Sequence, residues 1–273
     1  MSASPFALKG KTAVVTGAAS GIGRAIAASL SQRGCNLALA DVNTAGLTET
    51  QAALAPGVRA TVHRLDVSDP DAVAAFPATV LAEHPGVDVL VNNAGVALGG
   101  QFEQVSKADF EWLFGINFWG VVNMTRAFLP LLKASDEARL VNLSSLFGLI
   151  APPGQSAYCA SKFAVRGFSE SLRHELKPTH VGVTVVHPGG VATSIARNAR
   201  MAAATDKAQT ERALRTAEAM LKLPPAKAGE IIVSGVERRQ PRVLVGSDAK
   251  MLATLERLAP VSYWNWLESR MRR

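Results

Sequence analysis

Short runs of apolar and β-branched residues recur along the chain and alternate with segments whose apolar residues follow a helical period. The runs predicted to be strands are 12–16, 36–41, 60–66, 87–92, 139–143, 181–187 and 242–245. The segments predicted to be helices are 21–32, 44–54, 70–84, 106–134, 156–176 and 227–237. Apolar strands separated by helices are typical of a parallel sheet covered on both sides. The pattern therefore predicts an α/β fold with a doubly wound parallel sheet.

The alternation continues without a repeat, a low-complexity tract or a long linker, which predicts one catalytic domain over residues 8–247. Within it, residues 192–226 lack a clear period and contain two consecutive prolines near their end. We expect residues 194–226 to form a lid over the substrate.

The last segment, 248–273, is predicted to be an amphipathic C-terminal helical extension. Met251, Leu255 and Leu258 recur at helical spacing before Pro260 breaks the pattern, and two tryptophans, a tyrosine and terminal arginines follow. We expect this tail to pack over the substrate mouth or on a neighbouring subunit. A membrane surface is the alternative, because aromatic rings and cations both gain there.

The formal net charge of +7 comes entirely from the end of the chain. Residues 1–193 carry 14 Lys and Arg against 14 Asp and Glu, whereas residues 194–273 carry 15 against 8. We expect this segment to form a solvated basic surface, and contact with anionic lipid, an acidic protein or nucleic acid is the alternative. Nucleic acid is not expected as a partner, because the cations are not interleaved with aromatic residues in a compact patch.

The sequence predicts a cytoplasmic protein without a metal site. Residues 1–8 lack the basic start and apolar run of a signal peptide, and no stretch reaches the ~18 apolar residues that span a bilayer. Only Cys35 and Cys159 are present, which is too few for a disulfide framework or a metal site.

The first predicted strand runs into a glycine-rich turn that opens the first helix. Gly17, Gly21 and Gly23 allow a tight turn and a close approach of backbone amides to a pyrophosphate. Ser20 and Ile22 lie between them, at a helix N-terminus whose free N–H groups and dipole favour anionic oxygens. The position after a strand and before a helix predicts a dinucleotide-binding site.

A carboxylate, Asp41, ends the second predicted strand, 24 residues after Gly17. At this place it accepts hydrogen bonds from a ribose diol and repels a 2′-phosphate, which favours NAD over NADP. Arg24 complicates the prediction, because a guanidinium near the same ribose could hold the phosphate. We therefore expect NAD and leave NADP open.

Polar and small residues follow the third and fourth predicted strands. Asp66 and Val67 close the third, and Asn93, Ala94 and Gly95 follow the fourth. The carboxyl ends of parallel strands are where ligands bind in open α/β sheets. These five residues are candidates for cofactor binding, although Asp and Asn at strand ends also form turns.

Tyr158 and Lys162 are four residues apart on one predicted helix, so that they share a face. A phenol with a pKa of ~10 is a poor base at neutral pH. A lysine charge at ~4 Å, with an effective dielectric of ~20, favours phenolate by roughly 4 kcal/mol and could lower that pKa by up to about three. The pair is thus suited to move a proton near neutral pH.

Two further polar residues are candidates for the same site. Ser145 lies 13 residues before Tyr158 and follows a strand, so its hydroxyl could hold the substrate oxygen that Tyr158 protonates or deprotonates. Asn117 stands in an apolar stretch, and a buried amide must find partners. It could bind a water that links Lys162 to solvent.

Together these motifs resemble those of the short-chain dehydrogenase/reductase family over residues 8–246. The similar segments are a TGxxxGxG turn at 16–23, NNAG at 92–95 and PGxVxT at 188–193. The places of the family's catalytic tetrad hold Asn117, Ser145, Tyr158 and Lys162. The resemblance implies that Lys162 also holds the ribose, and that the nicotinamide end is bound by Pro188, Gly189, Val191 and Thr193.

The resemblance also implies a Rossmann-type fold with seven strands in the order 3-2-1-4-5-6-7. It implies dimers or tetramers that pack through the helices predicted at 106–134 and 156–176. The implied activity is reversible hydride transfer between NAD(P) and a secondary alcohol or ketone.

The predicted substrate wall favours a hydrophobic substrate without a fixed charge. Its apolar residues are Leu146, Phe147, Leu149, Ile150, Pro152 and Pro153. One alternative is a 3-oxoacyl-carrier-protein reductase whose basic segment 197–222 docks an acidic carrier, although Asp136 and Thr179 stand where such reductases often carry arginine. A cofactor-binding regulator without turnover is a second alternative, which the intact Ser–Tyr–Lys set opposes.

Overall fold

The structure, a computed structural model, describes residues 4–271, except for the side chains of Lys207, Arg212, Ala213, Arg270 and Met271. Its strands are β1 (Thr12–Thr16), β2 (Asn36–Asp41), β3 (Ala60–Arg64), β4 (Val89–Asn92), β5 (Leu98–Gly99), β6 (Ala138–Leu143), β7 (Val181–Pro188), β8 (Arg200–Met201) and β9 (Arg242–Val245). Its α-helices are α1 (Gly21–Ser31), α2 (Thr44–Ala52), α3 (Pro70–Leu81), α4 (Lys107–Phe114), α5 (Gly120–Ala134), α6 (Ser156–Glu175), α7 (Lys207–Met220), α8 (Pro225–Glu237), α9 (Ser247–Leu258) and α10 (Tyr263–Met271). A π-helix, Gly115–Trp119, joins α4 to α5, and a short 3₁₀ helix, Leu146–Gly148, follows β6.

Seven strands form one parallel sheet in the order β3-β2-β1-β4-β6-β7-β9. With the short strands β5 and β8 left out of the numbering, this is the predicted order 3-2-1-4-5-6-7. The Rossmann-type doubly wound fold is therefore confirmed. The strand order reverses at β1 and β4, so that the carboxyl ends of these strands border the crevice where such sheets bind ligands.

Helices cover both faces of the sheet because successive residues of each strand point to opposite sides. On β1, Val15 belongs to the same buried cluster as Ile26 of α1 and Ile232 of α8. Its neighbour Val14 belongs to a second cluster, with Phe128 of α5. Full burial of each such side chain contributes roughly 1.5–3 kcal/mol. The two apolar layers therefore hold the sheet firmly beneath the crevice.

The segment 192–226 has more regular structure than the sequence pattern predicts. It contains β8, which pairs with β5 in a small separate sheet, and the helix α7. None of the described side chains of α7 is fully buried, so the helix does not pack an apolar face into the core. The β5–β8 pair joins this segment to the loop that follows β4.

The helix predicted over 106–134 is interrupted by the π-helix between α4 and α5. At the end of the π-helix, Gly120 packs so closely on Val67 that a Cβ there would lie 2.8 Å from a Val67 methyl carbon. A π-turn shifts side chains out of the regular helical register and is frequent at functional sites. Here it places Asn117 in the fully buried interior.

The C-terminal extension forms α9 and α10 and packs on the segment that follows β6. Its side chains Leu252, Ala253 and Tyr263 contact a buried apolar cluster made of Leu146, Leu149 and Ile150. The Tyr263 hydroxyl accepts a hydrogen bond from the amide of Ala151 at 2.9 Å. The extension therefore lies against the predicted substrate wall. Within residues 4–271, no helix is long and apolar enough to cross a membrane.

Candidate active site

The glycine-rich turn lies between the carboxyl ends of β1 and β4, and Thr16 ties these two strands together. The Thr16 hydroxyl accepts hydrogen bonds from the amides of Asn93 at 3.0 Å and Ala94 at 3.1 Å, and it donates to the Val91 carbonyl at 3.2 Å. Gly17 has a φ of 65°, and a Cβ there would lie 2.7 Å from the side-chain nitrogen of Asn93. Both the turn and this close approach therefore require glycine.

The N-terminus of α1 behind this turn has no side-chain cap. The N-cap residue Ser20 is extended and makes no side-chain bond to the helix, so the first amides, at Gly21, Ile22 and Gly23, lack helical partners. Free N–H groups at a helix N-terminus suit a pyrophosphate. The donor set therefore fits the phosphate end of a dinucleotide. A Cβ on Gly21 would lie 3.1 Å from the Thr193 methyl carbon, so the predicted nicotinamide-binding loop ends beside it.

Asp41 lies half-buried at the end of β2, beside the same turn. One of its carboxylate oxygens accepts a hydrogen bond from the Ala19 amide at 3.0 Å, and the other accepts one from the Asn43 amide at 3.0 Å. These backbone bonds hold the carboxylate in one orientation. Asp41 lies where we expect the adenosine ribose of the cofactor to bind.

Arg24 lies near the same turn but is held by other partners. Its guanidinium donates to the Ala19 carbonyl at 2.5 Å, to the Thr50 hydroxyl at 2.9 Å and to the Glu49 carboxylate at 2.8 Å. The Glu49 carboxylate neutralises the charge that a 2′-phosphate would need. Arg24 thus favours NADP less than its position in the sequence suggests.

Asp66 and Val67 follow β3, which ends at Arg64 rather than at residue 66 because its partner strand β2 ends opposite it at Asp41. The exposed Asp66 carboxylate accepts hydrogen bonds from the Ser68 amide at 2.9 Å and the Ser68 hydroxyl at 2.6 Å. It therefore forms a turn, and its role in cofactor binding stays a prediction. Val67 is buried.

Helix α6 presents Tyr158 and Lys162 toward the sheet, and both side chains are nearly buried. The Lys162 ammonium donates to the Leu143 carbonyl at 3.2 Å, and its nitrogen lies 5.7 Å from the centre of the Tyr158 ring. The Phe147 ring meets the Tyr158 ring edge-on, with centres 6.1 Å apart. The structure thus brings the predicted pair together at the end of β6.

Burial shifts the pKa values of this pair in opposite directions. It raises the pKa of Tyr158 to about 12, against a hydrogen bond with Ser145 that lowers it. It lowers the pKa of Lys162 to about 8. Burial of the phenol therefore outweighs the lowering of the Tyr158 pKa that the sequence predicts from Lys162, whose ammonium lies beside the ring and bonds the Leu143 carbonyl. Without a bound cofactor, the Tyr158 phenol is therefore protonated at neutral pH and can donate a proton.

Ser145 follows β6 and is fixed from two sides. Its hydroxyl accepts a hydrogen bond from the Phe147 amide at 3.1 Å, and its carbonyl accepts one from Nδ1 of His187 at 3.0 Å. Burial lowers the pKa of His187 to about 4, so the imidazole is neutral at neutral pH and holds Ser145 rather than acting as a second base. The Ser145 hydroxyl is left facing Tyr158.

Asn117 braces the turn that follows β4. Its side-chain oxygen accepts a hydrogen bond from the Val96 amide at 2.9 Å, and its nitrogen donates to the Val96 carbonyl at 3.0 Å and to the Ser161 hydroxyl at 3.3 Å. A Cβ on Gly95 would lie 3.2 Å from the Asn117 oxygen and 3.3 Å from the Lys162 nitrogen. The amide therefore positions the Gly95–Val96 backbone beside Lys162, and its expected role in holding a water stays a prediction.

The predicted nicotinamide-binding loop, residues 188–193, leaves β7 and is held from the C-terminal extension. The Gly189 amide donates to the Val245 carbonyl at 2.9 Å, and the Gly190 amide donates to the Asp248 carboxylate at 2.7 Å. Asp248 lies in the first turn of α9, 58 residues away from Gly190. Sequence reasoning did not select Asp248, because a single acid in the first turn of a helix is ordinary and gives no sign of a distant partner.

Apolar side chains surround Tyr158. Its buried cluster contains Leu98, Leu113 and Ala157, and the partly buried residues packed against it are Val96, Ala97, Val105, Phe110, Trp112 and Phe147. The lid residue Arg200 lies over the Trp112 ring at 3.7 Å and pairs with the Asp109 carboxylate at 2.8 Å. The charge of Arg200 beside this cluster is therefore already paired.

Dinucleotide-binding geometry at β1 and a proton-transfer pair beside β6 meet at one edge of one parallel sheet. This combination defines an oxidoreductase that uses a nicotinamide dinucleotide. The chain belongs to the short-chain dehydrogenase family, because the model of that family, described as short chain dehydrogenase, matches residues 11–204.

Individual relatives agree with this assignment. The putative oxidoreductase SadH of Mycobacterium tuberculosis is 47% identical over 258 residues, which cover 93% of each chain. A short chain dehydrogenase/reductase from Burkholderia phymatum, solved in complex with NAD, is 32% identical with a TM-score of 0.85, over 92% of this chain and 94% of that one. A metagenomic short-chain oxidoreductase, solved in complex with NADP, is 32% identical with a TM-score of 0.71, over 88% and 98%. Proteins of this fold thus bind either nicotinamide dinucleotide.

Proposed function

We propose that the protein is an NAD-dependent dehydrogenase and reductase that interconverts hydrophobic secondary alcohols and ketones. The observation that carries this proposal is the position of Tyr158, a buried phenol among apolar side chains beside Ser145 and Lys162. A substrate that reaches this phenol leaves water and meets apolar rings. Such surroundings suit one carbonyl or hydroxyl on an apolar skeleton and disfavour a charged substrate.

In the reductive direction, Tyr158 donates its proton to the carbonyl oxygen while the Ser145 hydroxyl donates a hydrogen bond to the same oxygen. A bound nicotinamide supplies the hydride to the carbonyl carbon in this direction and takes it from the alcohol carbon in the other. In oxidation the Tyr158 oxygen must first lose its proton and then accept the proton of the alcohol. Lys162, whose pKa of about 8 keeps it mostly charged at neutral pH, stabilises the phenolate in that direction.

NAD is the proposed cofactor because Asp41 favours it and Arg24, the residue that could favour NADP, is paired with a carboxylate. The Asp41 carboxylate, oriented by the Ala19 and Asn43 amides, suits a ribose diol and repels a 2′-phosphate. The Arg24 guanidinium is paired with Glu49. A 2′-phosphate would have to approach the Asp41 carboxylate and displace the Glu49 carboxylate from Arg24.

The lid gives less support to an acyl-carrier protein as the substrate. Two of its cations already have acidic partners, since Arg197 pairs with Glu218 and Arg200 pairs with Asp109. A carrier that docks on this segment would have to compete with those carboxylates. We therefore favour free hydrophobic alcohols and ketones.

The proposal is tested by a substrate and cofactor screen. Secondary alcohols and ketones of increasing chain length are assayed with NAD(H) and NADP(H), beside 3-oxoacyl groups carried on an acyl-carrier protein. We expect kcat/KM to rise with chain length and to be higher with NAD(H). Turnover confined to carrier-bound substrates, or no turnover with any alcohol or ketone, would contradict the proposal.

A further inference from the structure

One side of α9 exposes apolar and basic side chains together. Its outer face, defined here by Lys250, Met251, Thr254, Arg257 and Leu258, consists of exposed residues. Leu258 is 79% exposed. Val261, in the turn that follows, is 92% exposed and continues the apolar surface. Large apolar side chains grouped in this way on a surface mark a contact site.

The charges of α9 are divided between its two sides. Lys250 and Arg257 are seven residues apart and therefore share the outer face with Met251 and Leu258. The acids of the helix are turned toward the body of the protein. Asp248 accepts a hydrogen bond from the Gly190 amide, and Glu256 is half-buried. The outer face thus presents cations and no carboxylate.

The inner face of the same helix contacts the proposed substrate wall. Leu252 and Ala253 pack on the cluster that contains Leu149 and Ile150. The Tyr263 hydroxyl, at the start of α10, bonds the next backbone amide of that wall. The outer face and the wall are therefore separated by the thickness of one helix, about 10 Å.

We propose that the outer face of α9, with Val261, docks on the surface of an anionic lipid bilayer. Apolar side chains on one stripe and cations beside it form the pattern of an interfacial helix, in which the apolar groups enter the headgroup region and the cations meet lipid phosphates. The sequence beyond the described residues adds Arg272 and Arg273 to this end of the chain.

A second copy of the chain fits this surface less well. A symmetric contact through the outer face would gather the Lys250 and Arg257 side chains of both copies in one interface without an acid from α9 to pair them. An anionic lipid surface provides the missing opposite charge.

Docking in this way would bring the substrate wall to the membrane, where hydrophobic alcohols and ketones concentrate. This consequence rests on the proposed function, whereas the docking itself does not. Vesicle binding is therefore measured separately from turnover, so that either statement can fail alone.

The test is co-sedimentation of the full-length protein with phosphatidylglycerol vesicles and with phosphatidylcholine vesicles. We expect binding to phosphatidylglycerol that weakens with added salt, and weaker binding to phosphatidylcholine. Replacing Leu258 and Val261 together by serine should weaken the binding by about tenfold or more. The matched control replaces Val62 and Leu81, which are exposed on β3 and α3, by serine, and should bind as the unmutated protein does.

A second pair of variants tests the cations. Lys250→Gln with Arg257→Gln should lower the affinity for phosphatidylglycerol by about tenfold and reduce its salt dependence. The control variant, Lys107→Gln with Lys177→Gln, removes two positive charges elsewhere on the surface and should lower the affinity for phosphatidylglycerol by less. All variants should keep their turnover of a short, soluble alcohol, which shows that they fold.

Two results would overturn the proposal. One is the absence of vesicle binding by the unmutated protein, or equal binding by the Leu258/Val261 variant and its control. The other is a change in molecular mass by light scattering in the Leu258/Val261 variant with unchanged vesicle binding, which would make the outer face an interface between copies of the chain.

Discussion

Tyr158 and Lys162 show how burial alone sets the direction of a proton transfer. Each side chain loses water, and the charged form of each is disfavoured, so the pKa of the phenol rises to about 12 and that of the ammonium falls to about 8. The protein therefore keeps the proton on Tyr158 until a further charge approaches. The Tyr158 phenol therefore holds the proton that the proposed reductive step gives to the carbonyl oxygen.

Tyr158→Phe should abolish most of the turnover, because it keeps the ring and its packing but removes the transferable proton. We expect kcat to fall by about a hundredfold or more, with cofactor affinity nearly unchanged in a fluorescence titration. Tyr263→Phe removes the other tyrosine hydroxyl of the chain and serves as the control, with turnover within a few-fold of normal. If Tyr158→Phe retained more than about a tenth of the activity, another group would carry the proton.

Asp41→Ala should shift the cofactor preference toward NADP. The substitution removes a carboxylate that repels the 2′-phosphate, and we expect the ratio of kcat/KM for NAD to that for NADP to fall by about tenfold or more. Glu49→Ala, which frees Arg24 from its ion pair, should shift the ratio in the same direction by less. An unmutated protein that already prefers NADP strongly would show that Arg24 outweighs Asp41.

His187 should make folding stability depend on pH. Its pKa is lowered from 6.5 to about 4 by burial, so the unfolded chain binds a proton more readily than the folded one. The stability is complete above pH 6.5 and is lost as the pH falls toward 4, with a cost of about 2 kcal/mol between about pH 7 and about pH 5. Urea unfolding at the two pH values measures it. His187→Gln should lose less stability over this interval than the unmutated protein; an equal loss in both would exclude His187 as the cause.

At the scale of elements, the nicotinamide-binding loop depends on a helix from the far end of the chain. The loop 188–193 bonds to β9 through Gly189 and to α9 through Gly190. The first turn of α9 holds this loop, and its second turn packs on the predicted substrate wall. The helix therefore connects the two halves of the candidate site. Cofactor binding and substrate binding therefore share one support.

Asp248→Ala should weaken cofactor binding more than it slows the chemical step. The charged acceptor of the Gly190 amide is worth roughly 1.5–3 kcal/mol, so we expect the dissociation constant of NADH to rise by about tenfold or more with a smaller change in kcat. Asp248→Asn keeps an acceptor oxygen and should recover most of the affinity. Glu256→Ala, on the same helix, is the control. Equal losses of kcat in the alanine and asparagine variants would point to a general loss of structure instead.

At the scale of the molecule, the site is assembled from both ends of the chain. The predicted cofactor turn follows β1, the candidate catalytic residues come from the middle, and the last two helices cover the predicted substrate wall. The predicted dimer or tetramer through α4, α5 and α6 stays a prediction. Trp119 and Phe163, on the π-helix and α6, are exposed in the single chain and are consistent with it.

Removal of residues 251–273 should alter the substrate-size preference or the oligomeric state. The truncated chain still contains Asp248, but it lacks most of α9, and the apolar cluster beneath Leu252 and Tyr263 is uncovered. Kinetics over a series of ketones of increasing chain length, together with light scattering, measure both effects. Unchanged kinetics and assembly, with only vesicle binding lost, would mean that the tail serves the membrane surface alone.

The sequence alone determined the architecture and the places of the candidate site residues. Apolar strands that alternate with amphipathic helices allow few other folds. The strands 12–16, 36–41 and 242–245 occur with the predicted bounds, because at their ends the buried apolar run stops where turn-forming residues begin. The glycine turn at 17–23 and the Tyr158–Lys162 pair are each defined by short spacings along the chain. Both could therefore be recognised from the sequence.

Only the tertiary structure decided how these groups act. The pKa of Tyr158 depends on burial and on where the Lys162 nitrogen lies, the role of Arg24 on its pairing with Glu49, and the role of Asp248 on a contact across 58 residues. The helix α7 has no fully buried side chain among those described, and the burial of Asn117 at the π-turn depends on packing between segments. Each of these depends on distances between parts of the chain that are far apart in sequence, and a one-dimensional pattern of residues does not contain such distances.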